Sequence, residues 1–331
     1  MNTRMLGRTG LAVSELALGG LFLASWFATP EVSAATVRRA VELGVNTIDT
    51  APGYGNSEEA LGRALRALGD AAAPLILSTK LGGRPQPFNP QDKAALHASV
   101  EESLRLLGRA EIDLLMIHEP DRPGQYDWWT DWDNFTGPAL EVLDELKQAG
   151  VIRFTGLGGT TAYILPHIIA AGRFDVVLTA FNYSLLWREA EIAVLPAAKA
   201  QGMGILIGSP LQQGALARRY DDQVNGGARW LSPPRRRHFQ ALYAFLDETG
   251  LPIAEAGLRF AISNPDISCV LMGARSAAEV EHNVASVEKG PLPADVLARL
   301  DEIAAMVPFR PFEEPFGLQF ARAYKGPGIA R

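Results

Sequence analysis

The chain holds one cysteine, Cys269, so no disulfide can form within it, and its place in an apolar run marks a buried, inert thiol. Nowhere are there the roughly 18 uninterrupted apolar residues that a membrane-spanning helix needs. Met1-Asn2-Thr3-Arg4-Met5 leads into a turn-rich stretch and not into the apolar region of a signal peptide. Long basic blocks are missing too, and the net charge is −6, which leaves polyanion binding with little electrostatic support. His97, His167, His238 and His282 fall in helical stretches, and none pairs with another ligand at zinc spacing. Internal repeats and low-complexity tracts are also lacking. These absences predict a cytoplasmic protein that binds no nucleic acid, no membrane and no metal, with its oligomeric state left open.

What is present is an ordinary globular balance, 47 % hydrophobic and 21 % charged over 331 residues, enough for a large core in a single domain spanning 1–331. Short β-branched or apolar runs predict strands near 16–18, 45–49, 75–79, 112–117, 152–157, 176–179, 205–207 and 267–272. Between and after them, apolar residues recur at helical spacing near 32–43, 58–67, 93–107, 137–148, 163–171, 190–200, 252–262 and 277–287. Strand-then-helix units repeated in this way predict a (β/α)8 TIM barrel. An open doubly wound sheet is the alternative, but it wants a Gly-x-Gly-x-x-Gly turn that Gly19-Gly20-Leu21-Phe22 does not supply. The Gly-rich turn Leu6-Gly7-Arg8-Thr9-Gly10-Leu11 reads as an N-terminal β-hairpin over 3–11. Long segments at 21–30, 119–136, 211–234 and 308–331 are candidate rim loops, and the first three are rich in aromatic residues.

The chain is organised around Val45 to Glu58. A β-branched run ends in Asp49, breaks on Pro52-Gly53, and gives way to a helix capped at Asn56 or Ser57, with Glu58 and Glu59 in its first turn. Asp49 and Tyr54 thus stand at the C-terminal end of a strand and in the loop after it, where parallel α/β folds bind ligands. Alone, this stretch reads equally as a bare turn. Downstream, the strand near 75–79 ends in Lys80 and the strand near 112–117 ends in His118. Asp49, Tyr54, Lys80 and His118 in this order, with Asp49-Thr50-Ala51-Pro52-Gly53-Tyr54-Gly55-Asn56-Ser57-Glu58 around the first two, resemble the catalytic tetrad and motif of the aldo-keto reductase superfamily. The resemblance runs from Leu6 to about Asn283.

That resemblance implies roles for each of these parts. The hairpin closes the bottom of the barrel. Tyr54 is the general acid and base, Lys80 lowers its pKa, Asp49 holds Lys80, and His118 orients the substrate oxygen. No side chain donates hydride, so a nicotinamide cofactor is implied. The turn Gly273-Ala274-Arg275-Ser276 with Asn283 resembles the pocket for the adenosine phosphate. Arg275 and Ser276 there lean toward NADP, Glu279 argues the other way, and NAD stays possible. Ser209, Leu211 and Gly214 match the loop over the pyrophosphate. The family's Ser-Asn pair, its glutamine and its stacking aromatic are replaced here by Gly158-Gly159, Ala180 and Gly208. Asn182, two residues after Ala180 and so on the same strand face, is expected to take over the carboxamide contact beside Gly158. Trp26, Trp128 and Trp129 are the expected walls of a substrate pocket. The segment Asn182-Tyr183-Ser184-Leu185-Leu186 is similar to the branch with L-galactose, L-fucose and other aldose 1-dehydrogenases. The implied function is NAD(P)-dependent interconversion of a small-molecule carbonyl or sugar with its alcohol or lactone. The alternative is a nucleotide-binding regulatory module of the same fold with slow turnover.

Overall fold

The computed structural model describes residues 1–310 together with Glu314, Leu318 and Phe320. β1 (Thr3–Met5) and β2 (Ala12–Ser14) pair antiparallel as the expected hairpin, which extends to Ser14. The barrel strands are β3 (Leu16–Gly19), β4 (Thr47–Asp49), β5 (Ile76–Leu81), β6 (Ile112–His118), β7 (Ile152–Gly159), β8 (Val176–Ala180), β9 (Gly204–Gly208) and β10 (Cys269–Gly273). Each pairs in parallel with the next and β10 closes on β3, so the barrel has no open edge. The outer layer is α1 (Pro30–Glu42), α2 (Ser57–Leu68), α3 (Lys93–Leu107), α4 (Pro138–Gln148), α5 (Leu165–Ala170), α6 (Glu189–Ile192), α7 (Val194–Ala200), α8 (Asp221–Gly226), α9 (Pro233–Thr249), α10 (Ile253–Ser263), α11 (Ala277–Val287) and α12 (Ala294–Ala305).

Strand periodicity divides the core in two. Leu16, Leu18, Ile48, Leu77, Leu115, Ile117, Val177, Ile205 and Ile207 face outward and pack beneath the helices. Ala17, Ile76, Leu114, Met116, Val176, Leu178, Leu206, Cys269 and Leu271 fill the barrel interior, where Leu6, Leu11 and Val13 of the hairpin join them from below. The fit of this plug requires a missing side chain: a Cβ on Gly204 would lie 2.5 Å from Leu6 Cδ1. Cys269 is buried in that interior, and burial pushes its thiol well above the usual range.

The helices depart from the sequence reading in two ways. The helix expected over 190–200 breaks into α6 and α7 at Ala193, whose φ of −142° departs from helical values. α8, α9 and α12 add to the expected helices, with α8 inside the segment read as a rim loop, and α9 packs against both α8 and α12 on the outside. Of the segment 308–331, only residues 308–310 and the three noted above lie inside the described region.

Candidate active site

Interior-facing positions alternate along each strand, so the parity that puts Leu114 and Met116 inside also puts His118 inside, at the C-terminal mouth. The same parity brings Lys80 in above Ile76, and Asp49 in above Thr47. Asp49 Oδ1 accepts from Lys80 Nζ and from Ser78 Oγ, and Lys80 Nζ also donates to the Thr50 carbonyl at 3.0 Å. Both side chains of this ion pair are almost fully buried, at 2 % and 4 % exposure. Tyr54 meets His118 edge to face, with centroids 5.8 Å apart, and Lys80 Nζ lies 5.9 Å from the Tyr54 ring. The four tetrad residues therefore converge on one side of the mouth.

The rest of the motif braces this geometry. Ser57 Oγ donates to the Gly20 carbonyl at 2.6 Å and lies 2.8 Å from Thr50 Oγ1, tying the start of α2 to β3. Glu58 is buried and accepts from Thr79 Oγ1 at 2.7 Å and from Arg84, which also donates to Ser103. Asn56 occupies the N-cap position but makes no capping bond; its Oδ1 accepts from Ser25 N at 2.8 Å instead. That bond anchors the rim segment carrying Trp26, whose ring lies over the backbone of Gly55.

Electrostatics separate the tetrad into fixed states. Burial, then the charge of Lys80, holds His118 down at about 3, so its imidazole is neutral at physiological pH. Nδ1 is buried beside Gly53 with no hydrogen-bond partner among the described residues. Tyr54 is raised above its usual range, chiefly by burial, then by the charges of Asp49 and Glu119. The ammonium is spent on Asp49, and what the phenol feels is burial and negative charge.

The other side of the mouth is nearly bare. The inward positions at the strand ends are Gly19, Gly158, Ala180, Gly208 and Gly273. A Cβ on Gly158 would stand 3.2 Å from Lys80 Cε, and one on Gly208 would stand 3.1 Å from Ala180 Cβ. Phe22 covers the Gly273 face, its ring 2.6 Å from where a Cβ would be. Asn182 is not on the β8 face as expected. Phe181 takes φ +68°, the strand ends, and the Asn182 amide donates to Thr160 O at 2.9 Å and Thr179 Oγ1 at 3.2 Å. Ser209, Gln212, Gln213 and Gly214 all have positive φ and fold the next loop tightly. Gln212 fastens that loop to Phe181 O at 2.8 Å, and Leu211 turns its side chain onto Gly257, leaving only its backbone to the mouth. Beyond β10, Ser276 Oγ caps α11 at Glu279 N (3.3 Å), Glu279 takes both the Arg275 amide (2.9 Å) and its guanidinium (3.0 Å), and Asn283 Nδ2 donates to Met272 Sδ at 3.8 Å.

The sequence matches the aldo/keto reductase family over residues 15–305. The chain belongs to that family. It is 32 % identical to an L-galactose dehydrogenase of Arabidopsis thaliana, over 86 % of this chain and 87 % of that protein. It is 31 % identical to a pyridoxal 4-dehydrogenase of Microbacterium luteolum, over 86 % and 93 %. Its fold resembles the holo form of an aldo-keto reductase from Bacillus halodurans, with a TM-score of 0.74 at 27 % identity, covering 92 % of this chain and 96 % of that one. The protein is therefore an oxidoreductase, built on the aldo-keto reductase barrel.

Against that family background, two expectations about the pocket need correction. Trp128 and Trp129 are 0 % and 2 % exposed and present no face to a ligand. Their indole N–H groups donate to the carbonyls of His118 and Pro120, both at 2.8 Å, so they hold the loop after β6 in place. Trp26, at 63 % exposure, remains free to contact a substrate. The sequence reading did not single out Glu119, Asp121 and Thr160, which bond one another just beyond the ends of β6 and β7. The only signal was the acid directly after His118. Among the described residues no group of three or more His, Cys, Asp or Glu could hold a metal ion, and no helix is long and apolar enough to cross a membrane.

Proposed function

We propose that this aldo-keto reductase interconverts a carbonyl and its alcohol or lactone with NAD(P), that Tyr54 is the proton donor and acceptor, and that sugar-like or polyol substrates are favoured. The observation carrying this reading is the two-sided mouth, with Tyr54, His118 and the Lys80–Asp49 pair facing a rim of glycines. No bulky side chain enters the mouth from these rim positions, although Phe22 lies on Gly273 and Leu178 and Ala180 lie close to Gly208; a nicotinamide bound beside the tetrad would supply the hydride. Gly158 and Gly208 would border that ring, and Ser209, Gly214, Gly273, Ser276 and Asn283 would hold the rest of the dinucleotide. Neutral His118 orients the substrate oxygen by donating a hydrogen bond, and the protonated phenol of Tyr54 delivers a proton to that oxygen as charge develops on it. In the reverse direction the same hydroxyl accepts the proton.

The relatives' names point to an aldose and to pyridoxal, both aldehydes with a hydroxyl group nearby. They weigh against the slow regulatory module. A cytoplasmic, single-domain protein of 1–331 suits this reading.

NADP is the favoured cofactor on the strength of Arg275, which Glu279 must release to a 2′-phosphate. Arg275→Ala should weaken NADPH binding by about 1.5–3 kcal/mol, the worth of a charge-assisted hydrogen bond, and leave NADH binding unchanged. Equal losses for both cofactors would remove Arg275 from the pocket. The function itself is tested by following reduced nicotinamide with panels of aldehydes, ketones and aldoses in both directions. No turnover with any pair would overturn it.

A further inference from the structure

Glu119 comes directly after His118 at the end of β6, and nothing in the tetrad chemistry uses it. Its φ is +51°, a conformation that non-glycine residues seldom adopt and that marks functional sites when the surroundings enforce it. The surroundings here do enforce it. Glu119 N donates to Gly158 O at 2.7 Å, and Glu119 Oε2 accepts from Thr160 Oγ1 at 2.7 Å. Thr160 is itself fixed on two more sides, its N–H on Asp121 Oδ2 at 2.9 Å and its carbonyl on Asn182 Nδ2 at 2.9 Å. The carboxyl so placed is 13 % exposed and lies within electrostatic reach of the Tyr54 and Tyr126 hydroxyls and of Lys80. Thr160 donates to Oε2 and the Arg122 guanidinium lies 3.7 Å from the same oxygen, and no hydrogen bond to Oε1 is found among the described residues.

We infer that Glu119 is a specificity residue: its carboxylate accepts hydrogen bonds from a hydroxyl beside the reacting carbonyl and so selects hydroxylated aldehydes, the aldose and polyol class, over plain ones. This deepens the proposed carbonyl chemistry and rests on it. A buried acceptor is the right device, because a substrate lacking the hydroxyl leaves it unpaired, and an unpaired buried polar group discriminates more sharply than an apolar wall. Burial lifts the carboxyl to about 7; the Thr160 bond opposes this, Asp121 adds to it, and Arg122 and Lys80 oppose it. The other polar side chains near it are neutral His118 and the protonated phenols of Tyr54 and Tyr126. The preference for hydroxylated substrates is then full above that pH and fades as the carboxylate is protonated below it.

Glyceraldehyde and propanal differ only in their hydroxyls and are reduced in the same direction, so the ratio of their kcat/KM values isolates the contact. Glu119→Gln keeps the volume and an acceptor for Thr160 but removes the charge. It should lower the glyceraldehyde-to-propanal ratio about tenfold or more, the worth of one charge-assisted hydrogen bond. In the wild type the ratio should fall as pH drops through about 7, a limb that Glu119→Gln loses. Glu119→Asp should keep the limb, and the wild-type profile tests the point even if the Gln variant folds poorly. Equal losses on both aldehydes would mean that Glu119 acts only through Tyr54, and an unchanged ratio would mean that it touches no hydroxyl. Either result overturns the inference while leaving the oxidoreductase intact. A wild type that reduces neither aldehyde nor any other carbonyl would sink the underlying function as well.

Discussion

At the scale of single residues, Tyr54 and Lys80 are separable by experiment. Tyr54→Phe removes a hydroxyl that no described hydrogen bond uses, so stability should be unchanged while turnover falls by about 10²–10⁴-fold, the usual worth of a general acid. Lys80→Met strips the cation from a buried carboxylate, and breaking such a pair from one side costs about 3–5 kcal/mol. It should therefore lose stability as well as turnover. Urea unfolding and kcat on both variants check this, and a Lys80→Met protein as stable as wild type would refute the buried pair. His118 gives a third signature. Its folded-state value of about 3 lies below the ordinary 6.5, so the ring stays neutral as pH falls from 8 to 5 and its Cε1 resonance should not move. A titration midpoint near 6.5 would place the ring in solvent. The tetrad was legible in the sequence because Asp49, Lys80 and His118 end apolar runs at successive strands, with Tyr54 in the loop after the first, in an order that resembles the family's. Glu119 was not, because an acid after a strand looks like any loop acid until the positive φ and the Thr160 bond are seen.

At the scale of elements, periodicity placed each barrel strand within a few residues, since a run such as Ile112–Ile117 is too apolar and too β-branched to be elsewhere. It failed where the buried face is polar. α9 buries Arg235 and His238 along with Phe239 and Leu242, so its inward stripe does not read as hydrophobic. α12 comes after the eighth strand-helix unit, where the repeating pattern no longer demands a helix. Asn182 misled for a different reason: strand parity assigns a face only while the strand continues, and Phe181 ends it without a glycine or proline to announce the turn. Helix packing carries a prediction of its own. Glycine inside an exposed helix normally costs up to about 1 kcal/mol relative to alanine, so Gly→Ala there stabilises. In α2 the sign should reverse, because a Cβ on Gly62 would lie 1.9 Å from the Leu106 carbonyl oxygen of α3. Gly62→Ala should destabilise by about 1–3 kcal/mol or more, the cost of overpacking. A midpoint of urea unfolding at or above that of wild type would show that α2 and α3 do not approach this closely.

At the scale of the whole molecule, two residues far away in sequence, Arg310 and Glu314, reach the side of the barrel where β8 ends. Arg310 donates its main-chain N–H to Glu189 at 2.9 Å and its guanidinium to the Phe181 carbonyl at 2.8 Å, where β8 ends and the Asn182 turn begins. A few residues on, Glu314 accepts from Trp187 Nε1 at 2.6 Å and from Arg235 Nε at 2.9 Å. Arg235 is buried, lies 4.5 Å from the Trp187 ring, and meets His238 Nδ1 at 2.8 Å; burial keeps that histidine neutral, at about 3, so it accepts. Glu314 is the acid that matches this buried guanidinium. Glu314→Ala leaves Arg235 without its carboxylate and should cost about 3–5 kcal/mol, as for a buried pair broken from one side. Glu314→Gln keeps an acceptor for Trp187 and for Arg235 and should cost less. Glu314→Ala should therefore lose stability, whereas Tyr54→Phe should not. Urea unfolding measures both effects. A loss within about 0.5 kcal/mol, the range of an ordinary surface substitution, would mean that Arg235 finds its balance elsewhere and that the segment after α12 does not secure this side of the mouth.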